Sequence, residues 1–308
     1  MGWQLKTLSA GDEAALEDFL LPLANDSMFL RSNARAAGLV DRGNPFEGTY
    51  VAAVENGAVT AVAAHFWNGM LVLQAPAPGT REPVARAAVS RSGRELEGVT
   101  GPWAQVVAVR SALGLATRKA SVEGREDLFA VDLADLRVPD LLASGRVLCR
   151  RPRADELEVA ARWRLAFSVE ALGRSGGEES LAAALAEIAR LQDLGSQWIL
   201  VEEGRPVAYS AFNARLPDAV QVGGVWTPPE LRSRGYARAV VAGSLLEARR
   251  GGATRAVLFT GEDNRSARRA YEALGFRVVG DYGLVIFRSH GEALTRPAPA
   301  SSRGPRRT

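Results

Sequence analysis

Two stretches of the chain carry the same succession of apolar and polar positions. Tyr50-Val51-Ala52-Ala53-Val54 is a run of β-type residues, Glu55-Asn56-Gly57 comes next, and residues 58–67 return with the same character. Asn-Gly favours a tight hairpin because both central positions take positive φ. Asn68-Gly69 offers a second turn and residues 70–74 a third strand. One half-chain later the meander recurs, with strands at 198–201, 206–212 and 219–226 and turns at 202–205 and 216–218. Apolar residues spaced three and four apart, the period of an amphipathic helix, precede each meander at 12–24 and 27–37, then at 154–172 and 178–194. Two helices followed by an antiparallel meander, repeated, predict a duplicated α/β (α+β) unit. The boundary falls near 143–145, giving units of 1–144 and 145–290. Residues 291–308, with Pro297, Pro299 and Pro305 among Ser, Ala and Arg, have no apolar period and read as a disordered basic tail.

The halves differ after the third strand. In the first, Pro76, Pro78 and Gly79 lead to an Arg/Ala-rich helix at 81–91 with no glycine-rich turn opening it. In the second, Thr227-Pro228-Pro229-Glu230-Leu231-Arg232-Ser233-Arg234-Gly235-Tyr236-Ala237 runs into an amphipathic helix reaching about Arg250. The first amides of a helix lack intrahelical acceptors, and the macrodipole adds partial positive charge there. Gly235 admits a phosphate close to the backbone, Ala237 leaves the next turn uncrowded, and Arg232 and Arg234 add charge at the rim. No Gly-Lys-Ser/Thr comes after it and the G-x-G-x-x-G spacing is missing, so this is neither a Walker loop nor a dinucleotide fingerprint. A strand at 255–260, the turn Gly261-Glu262-Asp263-Asn264, a short helix at 265–274 ending at Gly275-Phe276, and strands at 277–279 and 282–287 complete the second half.

Composition narrows the function classes. The 308 residues are 47% hydrophobic and 24% charged, as in an ordinary globular protein. No apolar run approaches the ~20 residues of a membrane helix, and the first residues show no secretory signal, so a cytoplasmic protein without a membrane partner is expected. The net charge of +3 equals that of the tail alone, where Arg296, Arg303, Arg306 and Arg307 oppose Glu292. The rest of the chain is formally neutral, which argues against nucleic acid as a partner. A single cysteine, Cys149, precludes an intrachain disulfide. With only His65 and His290 beside it, no metal site is expected. His65 reads as a packed histidine and Cys149 as a small core residue. Trp3, Trp67 and Trp103 read as packing aromatics.

The strand before Thr227-Pro228-Pro229-Glu230, the R-x-x-G-x-A string Arg232/Gly235/Ala237, Asn264, and Tyr271 followed by Gly275-Phe276 together resemble the GCN5-related N-acetyltransferase (GNAT) superfamily. The likeness is best over 198–287 and extends more loosely back to Arg146. The whole chain also resembles bacterial predicted acetyltransferases with a degenerate GNAT-like first half, through Gly101-Pro102 and the helix from Trp163 to Glu170. The resemblance implies tandem acyl-CoA N-acyltransferase folds, each a mixed, mostly antiparallel sheet flanked by helices. It implies acetyl-CoA as cosubstrate and acetyl transfer to an amine of a small molecule or peptide.

Carried over by position, the amides around Arg234, Gly235, Tyr236 and Ala237 hold the CoA pyrophosphate, with Arg232 beside them. Trp226 and Thr227 bond the pantetheine and polarise the thioester carbonyl, Asn264 bonds the pantetheine arm, and Tyr271 protonates the departing thiolate. A tyrosine hydroxyl of pKa ~10 can serve as that acid. Many relatives take the amine's proton with a carboxylate on the third strand, but Ala219 to Trp226 contains none. Glu170 is the candidate base, with Asp281 and Tyr282 behind it. With no activated Cys or Ser in view, direct transfer is expected. The missing strand carboxylate keeps open a second reading, a non-catalytic acyl-CoA sensor or scaffold. The tandem halves suit a monomer or a homodimer.

Overall fold

The first half opens with β1 (Gln4–Thr7) and the helices α1 (Glu13–Leu20) and α2 (Met28–Ala37). The meander β2 (Gly48–Glu55), β3 (Ala58–Phe66) and β4 (Met70–Gln74) comes next, its first turn closed by Asn56 at φ 51° and Gly57 at φ 83°. Then come α3 (Pro78–Ser92), β5 (Gly98–Gly101), α4 (Trp103–Ala112) and a long strand, β6 (Ala120–Asp132). A short α5 (Asp140–Ala143) leads into the second half. That half comprises β7 (Val147–Arg150), α6 (Leu157–Leu172), α7 (Glu178–Asp193), β8 (Gln197–Glu202), β9 (Arg205–Arg215) and β10 (Ala219–Trp226). It ends with α8 (Tyr236–Arg250), β11 (Arg255–Gly261), α9 (Arg265–Ala273) and β12 (Arg277–Phe287). This computed structural model describes residues 2–172 and 177–287; the basic tail lies outside the described residues. None of its helices is long and apolar enough to cross a membrane.

The strands form one mixed sheet, flanked by helices, in the order β1-β2-β3-β4-β5-β12-β6-β11-β10-β9-β8-β7. Neighbours are antiparallel except β4–β5 and β10–β11, which are parallel and occupy corresponding places in the two halves. The halves exchange strands at the centre. β12, the end of the second half, lies between β5 and β6, while β6 of the first half lies between β12 and β11. The two strands expected at 277–279 and 282–287 are one strand. The Gly280-Asp281 pair expected to break it is absorbed by a register shift between Val278 and Gly280.

Alternation along the strands sorts the second half's core into two layers. On one face Val220, Val222, Ala256 and Leu258 pack under Ala239, Val240 and Leu245 of α8. On the other, Ile199, Tyr209, Ala211 and Trp226 pack against Ala160 and Ala161 of α6 and Ile188 and Leu191 of α7. Met28 of the first half joins this second face, with Ala214, Ala219 and Val257. His65 is fully buried, between Ser92 Oγ at 2.6 Å and the Gly69 carbonyl at 3.1 Å, and burial lowers its pKa.

Candidate active site

The parallel pair β10–β11 is the natural place for a ligand, because its pairing stops early. Ala219, Val220 and Gln221 pair with Arg255, Ala256 and Val257, and beyond that point the strands part. The cause is local to β10. Its register with β9 shifts between Gly223 and Trp226, with Gly224 in the left-handed region at φ 61°. Both glycines leave room for a neighbouring side chain, and Gly224 also holds a positive φ. A Cβ on Gly223 would lie 2.0 Å from Asn213 Nδ2, and one on Gly224 would lie 1.9 Å from Arg164 Nη1. Arg164 comes from α6, where its Nη2 donates to Glu187 at 2.7 Å. Its Nε and Nη1 are buried without a partner among the described residues. Asn213 and Arg164 were missed in sequence; a charged residue on a helix reads as solvated until the bulge it fills is known.

At the end of β10, Trp226 and Thr227 are both buried, and Thr227 Oγ1 has no hydrogen-bond partner among the described residues. Arg232 closes this end. Its Nε donates to the Thr227 carbonyl at 3.1 Å, its guanidinium carbon lies 4.9 Å from the Trp226 ring centre, and its Nη2 donates to Glu170 Oε2 at 2.9 Å. The structure therefore brings together four of the expected residues, Trp226, Thr227, Arg232 and Glu170. The carboxylate is engaged by the arginine at the exposed rim.

The loop from Arg232 enters α8 through two left-handed residues, Ser233 at φ 65° and Gly235 at φ 83°. Gly235 is the N-cap, and the first backbone bond of the helix runs from Ala239 N–H to the Gly235 carbonyl at 3.1 Å. The amides of Tyr236, Ala237 and Arg238 thus open the helix without intrahelical acceptors. Arg234 is exposed and reaches the Glu230 carbonyl at 3.4 Å. The Tyr236 side chain is buried in the α8 core and donates to Glu202, which leaves its amide at the start of the helix.

Tyr271 packs against the core on the α8 face, and Asn264 opens the helix that carries it. Tyr271 is half-buried beside Phe129 (ring centres 6.3 Å) and Phe276 (5.9 Å). Burial pushes its hydroxyl up to about 12. Asn264 is the N-cap of α9, and its Oδ1 accepts from Ala267 N–H at 3.2 Å and from Ser266 Oγ at 3.1 Å. Cys149 Sγ faces the Val240 carbonyl at 3.6 Å, and burial pushes the thiol up to about 12.

The matching place in the first half is filled. β4 and β5 pair from Met70–Gly98 to Val72–Thr100. Past that point Gln105 Oε1 accepts from Ala75 N–H at 2.6 Å, and its Nε2 donates to Gln74 Oε1 at 2.8 Å. Arg81 covers the Ala75 and Pro76 carbonyls. A side-chain amide thus takes the strand-edge donor a ligand would use. A recess of about 280 Å³, lined by Arg215, Leu216, Val220 and Ala253, lies at the opposite end of β10 from the slot.

Residues 162–276 match the profile of the acetyltransferase (GNAT) family, which spans the parted strands, the α8 loop and Tyr271. The second half of the chain therefore carries a GNAT-family domain. Solved structures of the same fold include a Drosophila protein (13% identity, TM-score 0.62) that covers 92% of this chain and 99% of its own. A GCN5-related N-acetyltransferase from Sphaerobacter thermophilus aligns at 16% identity and TM-score 0.56, over 92% and 94% of the two chains. A tandem GNAT protein from the clavulanic acid biosynthesis pathway aligns at 14% identity and TM-score 0.54, over 94% and 99%. At these identities the likeness is one of fold, and it runs through both halves of this chain. No curated protein matches the sequence.

Proposed function

We propose that this GNAT protein is an acetyl-CoA-dependent N-acetyltransferase, active in its second half, that acetylates a primary amine of a small molecule or peptide by direct transfer. The observation that carries the reading is the open β10–β11 slot with an unpartnered Thr227 hydroxyl at its edge and a glycine-started helix beyond it. These features fit a thioester arm ending in a pyrophosphate. Acetyl-CoA supplies the activated acetyl group when bound.

The chain's own residues then divide the work. The α8 amides at 236–238, with Arg234 at the rim, hold phosphate charge. Arg232 keeps the Trp226–Thr227 end of the slot closed, and Glu170 anchors Arg232. As a base, Glu170 would exchange that ion pair for the amine. Thr227 Oγ1 and Asn264 Nδ2 bond the arm, and the N–H groups of β10 beyond the bulge polarise the carbonyl oxygen where charge develops. Tyr271 protonates the departing sulfur.

Calorimetric titration with acetyl-CoA tests the reading. One site per chain is expected, lost in Gly235→Glu, which adds negative charge and a side chain at φ 83°. Thiol release with an amine panel must accompany binding. Tight binding with no thiol release would favour the sensor reading instead.

A further inference from the structure

β10 carries no carboxylate and Glu170 is held in an ion pair by Arg232, so the reaction proposed above calls for another acceptor of the amine's proton. A carboxylate from the first half, Asp26, lies close by. On the face of the sheet away from α8, a cavity of about 10 Å³, the size that holds one water, is lined by Asp26, Met28, Gln221, Val257, Phe259 and Tyr282. Gln221 and Val257 are the last pair before β10 and β11 part. The cavity therefore adjoins the inner end of the slot. α8 and Tyr271 pack on the opposite face with Val220, Val222, Ala256 and Leu258. An amine attacking a carbonyl in the slot from the face opposite Tyr271 enters beside this cavity. Gln221 Oε1 is buried there with no partner among the described residues.

We propose that Asp26, supplied by the first half, is the general base of the second half's active site. It acts through one water held between its carboxylate and Gln221 Oε1. As the C–N bond forms, the attacking nitrogen gives its proton to the water, and the water gives one to the Asp26 carboxylate. As the C–S bond breaks, Tyr271 gives its proton to sulfur, and solvent restores both residues. The surroundings suit the role. Burial raises the Asp26 pKa above its ordinary value, and the charge of Asp281 on β12 raises it further, while a hydrogen bond with Gln74 of β4 opposes this. Tyr282 is the other titratable group facing it, held uncharged by burial, and Asp281 is itself engaged by Arg125 Nε at 3.1 Å. Gln221 from β10 and Phe259 from β11 bring no charge. The proposal rests on the acetyl-transfer reading.

The test compares wild type, Asp26→Asn, Asp26→Glu and Glu170→Gln by acetyl-CoA titration and by pH profiles of turnover with primary amines of differing basicity. The limb that moves with the amine is the amine's; the limb that stays belongs to the protein. Asp26→Asn is expected to bind acetyl-CoA as wild type does, lose ~10²-fold or more in kcat at neutral pH, and lose the stationary acid limb. Asp26→Glu should restore part of the rate with a shifted limb. Glu170→Gln should weaken acetyl-CoA binding through Arg232 and keep the limb. A second readout needs no catalysis. Because the folded pKa is raised, the folded carboxylate is penalised as pH rises through it, so Asp26→Asn should melt above wild type at pH 8, with the gap closing toward pH 4. An unchanged stationary limb in Asp26→Asn, or its loss in Glu170→Gln alone, overturns the proposal while leaving acetyl transfer standing. Wild type that releases no thiol with any amine overturns both.

Discussion

Two hydroxyl or thiol groups of the second half are pushed to about 12 by burial, Tyr271 and Cys149, and the same shift has opposite chemical meaning for each. An acid catalyst must keep its proton until the leaving group demands it, so a raised tyrosine is ready across the physiological range. A nucleophilic cysteine must lose its proton, and burial keeps the Cys149 thiol protonated at neutral pH. This favours direct transfer over an acetyl-cysteine intermediate. Tyr271→Phe is expected to lower kcat by ~10² or more with little change in the acetyl-CoA dissociation constant. Cys149→Ala should turn over like wild type. Because Tyr271 stays protonated below its raised pKa, it should impose no falling limb on the wild-type profile up to about pH 10. A falling limb centred near pH 8 that disappears in Tyr271→Phe would contradict this. Arg164 belongs to the same scale. Its two buried, unpartnered nitrogens cost about 1–3 kcal/mol each unless a water or a ligand oxygen meets them.

The elements that position these residues were legible to different degrees, for a physical reason. Each meander and helix pair could be read because its signal is local: Asn-Gly turns, alternation, and apolar residues three and four apart. β6 was not legible. Its first half, Ser121-Val122-Glu123-Gly124-Arg125-Glu126, is polar and only becomes buried from Asp127 onward, and its partners β11 and β12 come from the far end of the chain. Gly280-Asp281 read as a turn because nothing nearby shows the strand that carries β12 across it. The loop into α8, Tyr271 and Asn264 stand out in the sequence because each belongs to a contiguous motif. Asp26 and Arg164 do not, because the significance of each depends on a strand distant in sequence. Two substitutions probe how the elements hold the slot. Gly224→Val forces a branched residue into φ 61° against Arg164 and should close the bulge, abolishing turnover even where the protein still folds. Wild-type turnover in that variant would show that the splay does not depend on the bulge. Asn264→Ala removes the α9 cap and should cost ~1 kcal/mol of stability. It should also raise the KM for acetyl-CoA. A stability loss with unchanged KM would leave Asn264 a cap and nothing more.

At the scale of the molecule, the repeat and the sheet divide differently. We propose the break at residues 144 and 145 as the boundary of the duplicated unit, yet the hydrogen-bonded sheet runs straight across it, because each unit inserts a strand beside the other's. β11 pairs with β6 along its whole length, from Arg255–Asp132 to Gly261–Glu126. The second unit alone would expose that edge next to the candidate active site, and an open apolar edge is a template for aggregation. The first unit, its own slot filled by Gln105, then has two uses for the second: it covers β11 and it brings Asp26 to the cavity. Residues 145–308 expressed alone should therefore be insoluble, or bind a hydrophobic dye and melt without a cooperative transition. Co-expression with residues 1–144 should restore a soluble one-to-one complex that binds acetyl-CoA. A 145–308 fragment that is monomeric, melts cooperatively and binds acetyl-CoA as tightly as the full chain would show that the strand exchange is dispensable. Loss of turnover in such a fragment, with binding retained, would still place an essential catalytic group in the first unit.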